Sequence, residues 1–170
     1  GIVGLGGIGK RVAQLCSALG MRVVAWTRDP SPERLRQAGA TYLDLHDLLA
    51  TADVVSLHLA HAPETDRILS SARLALMKPS AFLVNTARAE LVDDDALIAA
   101  LRAGRLAGAA LDVFPEEPLA PDSPWRSLPN VILTPHVGFR TPEATRRSLS
   151  IALANLAGAL AGEPRNAVDP

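Results

Sequence analysis

Gly1-Ile2-Val3-Gly4-Leu5-Gly6-Gly7-Ile8-Gly9 opens the chain, and the fold turns on how this stretch is read. An apolar run stops at Gly4, glycines recur at Gly6 and Gly9, and Val12, Leu15, Cys16 and Leu19 then follow at helical spacing. Strand, glycine turn and helix in that order fit the G-x-G-x-x-G pattern in the context that gives it meaning. Gly4 permits the tight turn, Gly6 lets the backbone approach a pyrophosphate, and Gly9 lets the helix pack close to the strand. The free N–H groups and the positive end of the helix dipole then face an anion. The expected contacts with a bound dinucleotide are therefore Gly4, Gly6, Gly7, Ile8 and Gly9. The same residues could also form a tight turn with no ligand.

Outward from this turn, short apolar runs alternate with segments of helical period, which predicts βα units and a mostly parallel sheet. Strands are expected at Ile2 to Leu5, Arg22 to Trp26, Thr41 to Leu43, Val54 to Leu57, Ala81 to Asn85, Ala107 to Val113 and Val131 to Thr134. Runs such as Val54-Val55-Ser56-Leu57 barely alternate, as strands covered on both faces do. The fold class that follows is α/β, a Rossmann-like doubly wound parallel sheet in three αβα layers. Asp93 is the expected N-cap of a helix whose Leu97, Ile98 and Leu101 share one face and which Gly104 ends. Thr141, Pro142 and Glu143 start the longest helix, with Leu149, Leu153, Leu156 and Leu160 expected to point inward until Gly162. Pro115 to Pro129 carries five prolines and is expected to be an ordered surface loop.

A chain of 170 residues that is 48% hydrophobic has the size and apolar content of one ordinary domain. A formal net charge of -1 offers no basic stripe for a phosphate backbone, so nucleic acid is not expected as a partner. No apolar run approaches the roughly 20 residues that cross a bilayer, so no membrane span is expected. Cys16 is the single cysteine. It excludes an internal disulfide, fits a reducing cytoplasmic setting, and by its phase with Val12 and Leu19 reads as a small core residue. Because Gly1 already lies inside an apolar run, the sequence reads as a piece of a longer protein. No His, Cys, Asp or Glu cluster shows metal-ligand spacing, and no metal is expected.

Ligands of open α/β sheets bind beyond the carboxyl ends of the strands. The second strand is followed by Thr27, Arg28 and Asp29. A neutral residue beside a guanidinium suits a ribose 2′-phosphate and favours NADP over NAD, although Asp29 could reach ribose hydroxyls and Arg28 could be a solvated surface charge. Arg88 follows the strand ending at Asn85; Asp112 stands at the tip of the next, with Glu117 just beyond; His136 follows the last. A cation to hold a carboxylate, an acid to protonate a carbonyl oxygen and a carboxylate to favour the charged imidazole are what reduction of a 2-oxo acid requires. Arg88, His136 and Glu117 suit those roles in turn, and Asp112 could orient a nicotinamide carboxamide. Each alone has a plainer reading as surface charge, loop solvation, turn residue or strand-end cap. His58 reads as structural, and His46 and His61 as surface residues.

Val84-Asn85-Thr86-Ala87-Arg88, Ala109 to Pro118 and Leu133-Thr134-Pro135-His136-Val137-Gly138 closely resemble the signature blocks of the D-2-hydroxyacid dehydrogenase family. With the glycine turn and Val54 to His58, the resemblance covers essentially the whole chain in the family's order. It implies an NAD(P)-dependent dehydrogenase acting on a small 2-oxo or 2-hydroxy acid such as glyoxylate, hydroxypyruvate or phenylpyruvate. In that reading Arg88, Glu117 and His136 are catalytic, and Ala87, Asp112 and Gly138 join Thr27 and Arg28 at the cofactor. It also implies a homodimer, a dinucleotide-binding domain over residues 1–150, and a segment 151–170 returning to a substrate domain whose earlier part is absent. Without that domain the chain is expected to turn over poorly. Three positions depart from the family pattern: Ala89 replaces its usual Gly, Ala60 its frequent Pro, and Thr27 its common Asp. A second implied reading is a dinucleotide-responsive interaction module of the corepressor type.

Overall fold

The computed structural model describes residues 1–167. Its residues divide into two units, Gly1–His136 and a second that begins at Val137. In the first unit seven strands run β1 (Ile2–Val3), β2 (Val24–Trp26), β3 (Thr41–Tyr42), β4 (Val54–Leu57), β5 (Phe82–Asn85), β6 (Gly108–Leu111) and β7 (Val131–Leu133). They form one sheet in the order β3-β2-β1-β4-β5-β6-β7, and every pairing is parallel. The chain moves outward from β1 to β3, then returns to the other side of β1 to lay down β4. The carboxyl end of β1 is thus the point where the winding reverses, the place where open α/β sheets bind their ligands.

The helices of this unit are α1 (Gly7–Ala18), α2 (Pro32–Ala38), α3 (Leu45–Thr51), α4 (Ser71–Leu74) and α5 (Asp94–Arg102). Caps fix where three of them start. Ser31, Asp44 and Asp93 accept the amide hydrogens of Arg34, Asp47 and Ala96 through their side chains, each satisfying a donor that the first turn leaves without a helical partner. Register assigns the layers. Ile2 and Ala25 pack with Leu5, Ala13, Val23 and Ala38 beneath α1 and α2. Val3, Val55, Leu57, Leu83 and Leu111 point the other way into the main core with Leu48, Leu49, Leu97 and Leu101 of α3 and α5. This is the three-layer αβα arrangement that the alternating pattern predicts.

Several expectations need correction. Cover on both faces holds only in part: Val55, Leu57 and Leu83 are fully buried, while Phe82 and Ile132 are exposed and Ser56, Val84 and Ala110 are half-buried. Apolar residues on both sides of a strand state a demand for cover, and the described residues meet it fully on one side. On α1, Gly9 and Ala13 carry the burial, Cys16 and Val12 pack partly against the smaller core, and Leu15 and Leu19 are exposed. Small residues face the sheet because α1 lies close to it. The Pro115 to Pro129 loop contains a 3₁₀ turn at Pro124–Ser127 that buries Trp125, one ring being enough to pin a loop that has no periodic pattern.

In the second unit α6 (Pro142–Leu160) starts where expected, with the Thr141 side chain accepting from the Ala144 amide. Its Leu149, Leu153, Leu156 and Leu160 are exposed rather than inward. Helical spacing specifies an apolar stripe but not the surface that covers it. The end of the expected return segment, Val168 to Pro170, lies outside the described residues.

Candidate functional site

The glycine turn comes first because β1 ends there. Gly4 has φ of +100°, a conformation open to glycine and strained for other residues. A Cβ on Gly9 would stand 2.0 Å from the Gly4 carbonyl oxygen, so the helix start and strand end touch backbone to backbone. Around Gly6 and Gly7 a Cβ would meet nothing within 4 Å. Their surface is therefore open, and α1 starts at Gly7 with no side chain capping it, which leaves its first amide hydrogens to solvent or an anion. Ile8 is exposed beside them. These features fit a dinucleotide pyrophosphate. His58 walls the turn: its carbonyl oxygen is 2.7 Å from a Cβ built on Gly4, and its ring Nε2 lies 2.9 Å from Ser56 Oγ. Burial lowers the pKa of this imidazole, in keeping with a structural part.

Beyond β2, Thr27 is buried. Arg28 is exposed, with Nη2 3.7 Å from Glu64 Oε2. Glu64 does not figure among the candidates read from sequence. It sits in the loop after β4, more than thirty positions away, and no local pattern announces the pairing.

The second cluster gathers at the ends of β5, β6 and β7. Arg88, Glu117 and His136 line one hollow of about 220 Å³ together with Ala89, Val113, Phe114 and Pro115. Glu117 Oε2 is 2.8 Å from His136 Nδ1, while Glu117 Oε1 accepts the Phe114 amide hydrogen at 2.9 Å. The Phe114 amide first, and the imidazole second, hold the Glu117 carboxyl below its usual range, because both bonds favour the ionised form. His136 has φ of +51°. It is the last residue of its unit, and Gly138 falls two residues on, in the second unit.

Buried Asn85, another residue missed in the sequence, holds the loop that carries Arg88. Its Oδ1 accepts the Ala87 amide hydrogen at 3.0 Å and its Nδ2 donates to the Arg88 carbonyl at 2.8 Å. An apolar strand ending in Asn signals this role only once the chain is known to double back over that residue. Asp112 is buried at the end of β6 and accepts a hydrogen bond from the Thr134 hydroxyl. The structure thus brings Arg88, Glu117 and His136 together on one rim, with Ala87 and Asp112 on the loops beside them.

Elsewhere, one grouping departs from the expected absence of metal-ligand clusters. Asp44, His46 and Asp47, all exposed, bring ligand atoms within 4.8 Å of one another. Asp44 is there the cap of α3, which accounts for its position. Among the described residues no helix is long and apolar enough to cross a membrane.

Fold and site together define a dinucleotide-type α/β domain with a carboxylate, imidazole and guanidinium at one strand-end rim. Residues 1–138 match the D-isomer specific 2-hydroxyacid dehydrogenase, NAD binding domain, and the chain belongs to that family. It is 44% identical over 170 residues to the glyoxylate reductase of Aeropyrum pernix, covering 99% of this chain and 51% of that protein. The crystal structure of the TT0316 protein from Thermus thermophilus superposes with a TM-score of 0.91 at 47% identity, over 99% of this chain and 52% of that one. The Aquifex aeolicus D-lactate dehydrogenase complexed with NAD and lactic acid superposes with a TM-score of 0.87 at 32% identity, over 95% and 53%. The chain thus spans about half the length of these relatives.

Proposed function

We propose that this chain is the cofactor-binding part of an NAD(P)-dependent dehydrogenase that interconverts a small 2-oxo acid and its D-2-hydroxy acid. The observation that carries the reading is the Glu117–His136 pair at 2.8 Å in the same hollow as Arg88. Family membership and the open glycine turn support it, with Gly4, Gly6, Gly7, Ile8 and Gly9 at the pyrophosphate. Thr27 and Arg28 lie at the adenosine end and give a 2′-phosphate a place, which favours NADP. Ala87 and Asp112 serve the nicotinamide end.

When bound, the nicotinamide supplies or takes the hydride. Arg88 pairs its planar fork with the substrate carboxylate and polarises the neighbouring carbonyl. His136, engaged at Nδ1 by Glu117, gives a proton from Nε2 to the carbonyl oxygen as the carbon accepts hydride, and takes it back in the reverse direction. Glu117 keeps its charge throughout and orients the ring. The Aeropyrum pernix relative is a glyoxylate reductase and a Klebsiella pneumoniae relative, 43% identical, a glyoxylate/hydroxypyruvate reductase, which supports glyoxylate and hydroxypyruvate as substrates. To this reading belong a homodimer, a cytoplasmic setting, residues 1–150 as the cofactor domain and 151–170 as the path back to a substrate domain.

NADH and NADPH oxidation by the whole protein, followed with glyoxylate, hydroxypyruvate and phenylpyruvate, tests the reading. Turnover of at least one acid, abolished in His136→Ala, is expected. Cofactor binding with no turnover on any acid would favour the corepressor-type module and overturn the dehydrogenase.

A further inference from the structure

The Arg28–Glu64 pair is placed where it can act on cofactor choice. The Gly4 amide donates to the Trp26 carbonyl and the His58 amide to the Val3 carbonyl, each at 2.8 Å. The ends of β2, β1 and β4 are therefore fastened side by side. Arg28 stands two residues beyond Trp26 and Glu64 six beyond His58, and their side chains meet at 3.7 Å. The pair thus joins the two strands that flank β1, across the end where the winding reverses.

The backbone that carries Glu64 is anchored next to it. It occupies a turn knotted by the buried Thr65, whose hydroxyl donates to the Ala60 carbonyl and accepts the Ala62 amide hydrogen at 2.8 and 2.9 Å. The carboxylate thus extends from a hydrogen-bonded turn. An exposed pair of this length adds little to stability, so its consequence lies in what it sets beside a ligand.

We propose that Glu64 is a specificity residue of the dinucleotide site, restraining the preference for NADPH that Thr27 and Arg28 would otherwise confer. This rests on the dinucleotide reading above. A 2′-phosphate seeking the Arg28 guanidinium must displace a carboxylate already there and then lie beside it, like charge against like charge. An unphosphorylated ribose meets no such repulsion, and its hydroxyls can donate to the same carboxylate.

The test is titration of the chain and its Glu64→Gln and Arg28→Ala variants with NADH and NADPH by fluorescence at low ionic strength, with circular dichroism as the folding control. Removing the Glu64 charge is expected to tighten NADPH by about five- to tenfold while NADH changes by less than about twofold, and salt at about 0.5 M should shrink the difference. Arg28→Ala is expected to weaken NADPH selectively. Equal changes for both cofactors in Glu64→Gln, or none, overturn the role of Glu64 while leaving the dinucleotide site intact. A folded parent chain that binds neither cofactor overturns both.

Discussion

Glu117 and His136 lie 19 residues apart in sequence, yet Oε2 of one and Nδ1 of the other are 2.8 Å apart. Between them the chain runs through the proline loop and all of β7, so the contact depends on the β6–β7 pairing that returns His136 to the rim. Glu117→Gln keeps the shape of this contact and removes its charge. In the whole protein kcat for 2-oxo acid reduction is expected to fall by about ten- to a hundredfold, with cofactor affinity unchanged. Steady-state kinetics beside a cofactor titration checks it, and an equal loss in cofactor binding would count against a role confined to the imidazole.

The glycine turn separates stability from binding. Gly6 has an ordinary φ of -76° and no atom within 4 Å of a built Cβ, so Gly6→Ala should melt like the parent yet bind dinucleotide more weakly, since the new methyl occupies the approach to the amides. Gly9→Ala forces a methyl to 2.0 Å from a backbone oxygen, and is expected to cost about 1–3 kcal/mol through backbone displacement. Melting curves and cofactor titrations of both variants give the comparison. A destabilised Gly6→Ala would contradict the open surface described above.

Asp94, in the first turn of α5, has its pKa raised to about 6, chiefly by burial, with the Trp125 side chain opposing through a hydrogen bond. An acid whose folded pKa lies above its unfolded value of 3.8 lends stability that is complete below that value and disappears as pH rises through about 6. Asp94→Asn accepts the same bond without charge. Its melting temperature relative to the parent is therefore expected to rise between pH 4 and pH 8, the helix dipole taking back part of the gain. A difference flat across that range would show that Asp94 does not titrate there.

The sheet was legible because each strand is a short apolar run closed by a turn signal, and because Asp93 and Thr141 cap their helices by local chemistry. Arg88, Glu117 and His136 were legible because strand ends of a parallel sheet share one edge, which turns separate stretches of sequence into neighbours. Asn85 and Glu64 were not: their partners are set by loops that fold back, and loop conformation leaves no periodic trace. The leucines of α6 failed for another reason. Their spacing is a property of the helix, whereas burial is a property of whatever lies against it.

The pairing of β5 with β6 runs unbroken through Phe82↔Gly108, Leu83↔Ala109, Val84↔Ala110 and Asn85↔Leu111. The loops carrying Arg88 and Glu117 therefore depart from a common rung, so their starting points are one inter-strand spacing apart. Insertions beyond that rung can reshape which molecules are admitted while the anchors of the rim stay in step.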